Sequence, residues 1–193
     1  MKRTILAARI GAAGLGLAAL GWVLLSQDAG VQPSPTNQED TVRATRPSDQ
    51  EIVLTRSFVA PRRIVFAALT QSKHLVRWMQ ATDAVLVACE VDARVGGTFR
   101  WVFLRPNGLK IEVRGAYQAF DPPSGFVYLE TYDFSPLKVL VTTTLEEVDG
   151  KTRFRQALRY ASRRERDEDF EGVTTSAREA YANLERYMIA STR

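Results

Sequence analysis

Apolar and polar residues alternate along most of this chain from residue 51 onward. In EIVLTRSFVA (51–60), Ile52, Leu54 and Phe58 fall on one side of a two-residue period, which predicts a strand. Ala60-Pro61 ends it, and proline suits a first helical position. In RRIVFAALTQ (62–71), Val65, Phe66 and Leu69 take helical spacing. Ser72 is expected to cap a second short helix that buries Leu75 and Trp78. VLVACEV (85–91) returns to strand. From Thr98 the strand pattern is sustained through TFRWVFLR, KIEVRGAYQAF, FVYLETYD, KVLVTTTLEEV and TRFRQALRYA. These runs are separated by turn signals at Pro106-Asn107-Gly108, Asp121 to Gly125, Ser135-Pro136 and Asp149-Gly150. The period then changes. Phe170, Val173, Ala177, Ala180, Tyr181, Leu184, Tyr187 and Met188 recur every three or four residues, one apolar face of a long helix.

This order predicts an α+β helix-grip: a curved antiparallel sheet of about six to seven strands wrapped on a long C-terminal helix. Two short helices follow the first strand. A sheet of this size must cover one face, and the last helix is the element large enough to do so.

The first fifty residues follow other rules. Lys2, Arg3 and Arg9 precede the apolar run Ile10 to Leu25, the charge-then-apolar pattern of an export segment. Residues 1–26 are read as an uncleaved membrane anchor, with secretion after cleavage as the alternative. The positive flank stays in the cytoplasm, which puts the domain outside, in the periplasm or the extracellular space. Residues 27–50 are polar and proline-containing, with few apolar side chains to bury, and are read as a disordered tether. Residues 51–193 form the folded domain.

The chain has 193 residues, 45% of them hydrophobic and 25% charged, with a formal charge of +4. That mild excess does not resemble a nucleic-acid binder. The single cysteine, Cys89, excludes an intrachain disulfide, and the single histidine, His74, excludes a two-histidine zinc site. No serine or cysteine near His74 in sequence offers a nucleophile, and no acid pair stands out. No catalytic residue, metal ligand or cofactor is assigned.

VDARVGGTFRW (91–101) carries adjacent glycines, but no lysine follows and a strand succeeds it, so a phosphate loop is not expected. Gly96 and Gly97 are expected to supply unusual backbone angles at a tight entry to the strand, with Asp92 and Arg94 tying the turn. Phe99, Trp101 and Phe103 then share one strand face. Val141 and Thr143 share a face of a later strand, and Gln156 shares one with Phe154 and Leu158. Such a mixture reads either as a filled core or as an aromatic pocket with a few polar groups. Gln156 is the informative member, because an inward amide needs a partner: a ligand, a water or Tyr128. Arg153, Arg155 and Arg159 make a basic stripe on the opposite face, to which Arg100 and Arg114 are expected to add. The stripe is read as edge protection or as a contact for anionic headgroups.

LTRSFVAPRRIVFAALTQSKHLVRWM resembles the opening of the START-like (SRPBCC) superfamily, in the branch named after the activator of heat shock protein 90 ATPase. The matching residues are Arg56, Ala60-Pro61, Val65-Phe66, Ala68 to Thr70 and Arg77-Trp78. The run Asp92, Arg94, Gly96, Gly97, Phe99 is similar to the branch's second signature. The chain departs from the branch at Met79-Gln80, and where Ser176 and Ala177 replace a glycine–tryptophan pattern. The resemblance implies the helix-grip and a ligand cavity between sheet and C-terminal helix. Phe66 and Trp78 of the short helices, Tyr117, which shares a strand face with Ile111 and Val113, Tyr128 of the sheet and Tyr181 of the last helix complete the pocket candidates. The expected function is binding of a small hydrophobic or amphipathic ligand by a tethered or exported domain without enzymatic activity. The membrane would be a partner through residues 10–25. A protein-interaction module like the chaperone activator, its partner unknown, is the alternative, and an enzyme using the same cavity is the weaker one.

Overall fold

The computed structural model describes residues 41–80 and 84–191. The expected anchor (1–26) and residues 27–40 of the expected tether lie outside the described residues. Eight strands form one antiparallel sheet in the order β1-β2-β8-β7-β6-β5-β4-β3. They are β1 (Arg43–Ser48), β2 (Glu51–Phe58), β3 (Val85–Val91), β4 (Thr98–Leu104), β5 (Lys110–Asp121), β6 (Gly125–Tyr132), β7 (Ser135–Val148) and β8 (Lys151–Arg159). The helices are α1 (Arg62–Thr70), α2 (Ser72–Trp78) and α3 (Arg163–Ser191). Tight connections join β3 through β8 in sequence, and β2 closes against β8. The result is the expected grip with α3 on the inner face.

The sheet has one strand more than expected because Arg43–Ser48, read as tether, forms β1. RATRPS has no alternating apolar face, so no periodic signal announces it. Side chains from α3 hold it instead. The Arg46 guanidinium lies 4.3 Å over the Phe170 ring and 3.4 Å from Asp167, and buried Arg166 donates to the Ser48 carbonyl. Pro47 is tolerated because β1 is an edge strand, and the pairing with β2 is irregular between Thr45 and Ser48. Just ahead of β1, Val42 is 5% exposed and belongs to the core.

Local sequence explains the helix starts. Ser162 and Glu165 carry the S-x-x-E spacing. The Ser162 hydroxyl accepts from the Glu165 N–H at 3.3 Å, and the Glu165 carboxylate accepts from the Ala161 N–H at 3.1 Å, which closes the first turn of α3. For α1, Glu147 of β7 accepts the Arg62 N–H at 2.8 Å. Ser72 is not the cap expected of it. It is the first residue of α2, follows an extended Gln71, and no side-chain cap bond forms there.

The two glycines of VDARVGGTFRW have different reasons. Gly96 has φ +76°, a backbone angle that favours glycine. Gly97 has no such angle, but a Cβ there would lie 2.1 Å from the Asp92 carbonyl oxygen. Backbone bonds from Gly96 N to Tyr117 O and from Tyr117 N to Gly97 O, both 2.9 Å, fasten the turn to β5. Arg94 grips Asp92 through two contacts, at 3.0 and 2.9 Å. Cys89 is half-buried, and burial pushes its thiol up to about 11, an inert strand residue.

Candidate functional site

Strand register assembles the inner face in rows. Phe99 of β4 pairs with Gly115, then Glu130, then Val139. Tyr117 pairs with Tyr128, Val141, Leu158 and Ile52. Phe120 pairs with Phe126, Thr143, Gln156 and Leu54. The irregularity between Tyr117 and Ala119 shifts the parity of β5, which brings both Tyr117 and Phe120 to the inner face. Gly115 is needed because the Phe99 ring lies over it. A Cβ there would be 2.2 Å from two ring carbons.

The eleven residues expected around a pocket are all buried and belong to one core cluster or its polar inclusions. Phe99 stacks on Trp101 at 4.2 Å and meets Tyr128 edge-on at 4.9 Å. Tyr117 meets Tyr128 at 5.9 Å. Phe66 reaches this aromatic group through Phe120 and Phe126, at 5.3 and 6.0 Å. Phe103 and Val141 extend the rows on either side. Trp78 serves structure, since its indole N–H donates to the Ala68 carbonyl at 2.9 Å and joins α2 to α1.

Thr143, Gln156 and Tyr181 form a hydrogen-bonded chain inside the apolar shell. The Gln156 amide donates to Thr143 Oγ1 at 3.2 Å, and the Tyr181 hydroxyl donates to Gln156 Oε1 at 2.9 Å. The expected Tyr128 is therefore not the partner of Gln156. The partner comes from α3, which sequence pairing of strands could not reveal. Tyr181 also packs edge-on against Phe154 at 4.8 Å and Phe58 at 6.2 Å.

Several interior residues escaped sequence reasoning. Glu130 is 1% exposed, and its Oε1 accepts from the Tyr132 hydroxyl. Its alternation with Tyr128 in FVYLETYD was the available signal for an inward acid. Arg56, 6% exposed, pairs with Glu185 of α3 and lies over the Phe58 ring at 4.5 Å. The Trp101 indole N–H and the Ser176 hydroxyl are buried without a hydrogen-bond partner. Trp101 thus holds a buried donor at the end of the aromatic group, stacked on Phe99.

Burial raises the Tyr117 and Tyr181 hydroxyls far above their ordinary range, with the Cys89 thiolate a further cause at Tyr117 and the Glu130 carboxylate at Tyr181. Tyr128 rises for the same two reasons, burial first and Glu130 second. All three hydroxyls stay protonated at neutral pH, which makes them hydrogen-bonding groups rather than bases. His74 stands apart from this interior, its Nδ1 2.6 Å from the Tyr187 hydroxyl between α2 and α3. Among the described residues no cluster of three or more His, Cys, Asp or Glu is arranged to hold a metal ion, and no helix is long and apolar enough to cross a membrane.

A wide antiparallel sheet gripping one long helix, with two short helices after the opening strands, defines a START-like domain. The family model described as activator of Hsp90 ATPase homolog 1-like protein matches residues 59–188, and the chain belongs to that family. A crystallised protein from Rhodobacter sphaeroides is 28% identical, covers 78% of this chain and 99% of its own, and superposes with a TM-score of 0.75. One from Mycobacterium smegmatis is 22% identical over 78% of this chain and 99% of its own, with a TM-score of 0.68. CalU16 from Micromonospora echinospora is 18% identical over 74% and 78%, with a TM-score of 0.54. The last two show a shared fold. No curated protein matches the chain.

Proposed function

We propose that this domain binds a small hydrophobic or amphipathic molecule between the sheet and α3. The observation that carries the reading is the Trp101 indole N–H, a buried donor without a partner on a ring that stacks against Phe99. Buried donors are ordinarily satisfied, and small-ligand sites pair an apolar lining with a few placed polar groups. A ligand with an apolar body and one acceptor oxygen or nitrogen suits both features. The Thr143–Gln156–Tyr181 chain supplies further polar atoms on the same inner face.

The test is native mass spectrometry of the purified full chain, followed by extraction and identification of any bound small molecule, for wild type and Trp101→Phe. Binding predicts a co-purifying molecule whose occupancy falls in the variant. A ligand-free wild type, together with a Trp101→Phe protein at least as stable as wild type, would show that the donor serves no ligand.

The N-terminal pattern supports a second part of the proposal: residues 10–25 hold the protein at a membrane with the domain outside the cytoplasm. Carbonate extraction of membranes from producing cells reads this directly. An anchored chain stays in the pellet at full length. A soluble full-length chain refutes the anchor, and a shortened soluble chain replaces it with a cleaved signal.

A further inference from the structure

The outer face of the sheet is divided by charge. On β4 and β5, Arg100 lies 3.1 Å from Glu90 and 2.8 Å from Glu112, and Arg114 pairs with Glu112 as well. These two arginines, expected to extend the basic stripe, are neutralised locally instead. The β1–β2–β8–β7 half is different. Register puts Arg43, Thr55, Arg155 and Thr144 in one row, and Ser57, Arg153 and Glu146 in the next. Arg153 has only a distant partner, Glu146 at 3.9 Å. Among the described residues, Arg43, Arg155 and Arg178 of α3 take part in no ion pair.

Arg43, Arg153 and Arg155 of the outer face and Arg178, which comes from α3 on the other side of the sheet, line one open groove of about 1110 Å³ beside the start of β1, and Glu146 is the acid among its lining residues. Arg43 and Arg155 stand two strands apart, about 10 Å at ordinary strand spacing. That separation suits neighbouring headgroups better than the oxygens of one phosphate. Thr41, where the chain enters the domain, is also at the groove. The apolar run 10–25 lies beyond residues 27–40, a stretch that spans at most about 50 Å when fully extended. An anchored N-terminus would therefore hold Thr41 within about 50 Å of the bilayer.

We propose that this basic face docks on a bilayer surface bearing anionic phospholipid headgroups. Guanidinium groups hydrogen-bond phosphate oxygens well, and an arginine near an anionic surface gains on the order of fivefold in partitioning. Unpaired arginines supply that gain without first breaking an internal ion pair.

Arginine-specific modification with phenylglyoxal, read residue by residue by peptide mass spectrometry, tests the proposal. The full chain is compared on phosphatidylcholine vesicles and on vesicles containing phosphatidylglycerol. Any association on phosphatidylcholine alone reports the N-terminal run, so it is separable from the effect of the groove. Docking predicts several-fold slower modification of Arg43, Arg155 and Arg178 on the anionic vesicles, with exposed Arg77 of α2 unchanged. It also predicts loss of that protection when salt shortens the screening length from about 30 to about 3 Å. In Arg155→Gln/Arg178→Gln, the docking constant should fall on the order of 25-fold, so that Arg43 reacts almost as fast as on phosphatidylcholine. Equal rates on the two vesicle types, or equal slowing at Arg77, would overturn the proposal. Protection of the same arginines by inorganic phosphate without vesicles, and none by the vesicles, would replace the bilayer with a soluble anion.

Discussion

Replacing Gln156 with leucine tests the polar chain at the centre of the domain. The two side chains are similar in size, so the perturbation is chemical. Gln156 is 3% exposed, while Thr143 and Tyr181 are each 1% exposed. The substitution removes the acceptor at 2.9 Å from the Tyr181 hydroxyl and the donor at 3.2 Å from Thr143 Oγ1. Water has little access to either group left behind. Each stranded buried polar group costs about 1–3 kcal/mol, partly offset by the apolar gain of leucine, so the expected loss is about 3 kcal/mol. With urea slopes of about 1–3 kcal/mol/M, the midpoint should fall by about 1–3 M. Tyr181→Phe alone should also destabilise, because it strands Gln156 Oε1. The double variant removes both partners, and its loss should be smaller than the sum of the singles by about 1–2 kcal/mol. Additivity within about 0.5 kcal/mol, or a Gln156→Leu loss below that figure, would refute the hydrogen-bonded chain.

Gly115→Ala should destabilise by about 1–3 kcal/mol in chemical denaturation, because its Cβ meets a Phe99 ring held between Trp101 and Tyr128. Phe99→Leu in the same chain should recover part of that loss. Gly97→Ala should be costly as well, since the obstacle is the Asp92 backbone rather than a movable side chain; a soluble, cooperatively folding variant of unchanged melting temperature would contradict this. Burial first, and the Lys73 charge second, hold the His74 imidazole below its ordinary value of 6.5. The unfolded chain therefore takes up the proton first, and stability should decline as pH falls below about 6.5, until the folded imidazole also titrates. His74→Gln should flatten that part of a melting-temperature profile, and an unchanged slope would assign it to other groups.

The residues that periodicity made legible were those whose face is fixed by their own strand or helix. Phe99, Trp101 and Phe103 alternate within an uninterrupted strand, so their shared burial follows from the pleat. The apolar face of α3 follows in the same way from its three- and four-residue spacing. Phe120 was hidden because the β5 irregularity changes parity between Tyr117 and Ala119. β1 was hidden because an edge strand pinned by Arg46, Arg166 and Phe170 needs no alternation of its own. Glu130 and Arg56 were hidden for another reason: charged residues ordinarily report exposure, and only their partners Tyr132 and Glu185 make burial tolerable here.

The sequence by itself determined the order of elements from β2 onward, the turns between them, the two signature stretches and hence the START-like grip. These depend on local periodicity and on backbone requirements such as the close approach at Gly97. Tertiary structure alone decided which polar atoms meet. Tyr181 lies 25 positions from Gln156 in the chain, and Arg56 lies 129 from Glu185. It also decided which arginines stay unpaired, because Glu90 and Glu112 neutralise one half of the outer face and leave the other half basic. Pairings across such distances depend on strand register and helix placement. Both are set by the packing of the whole core, so no local pattern encodes them.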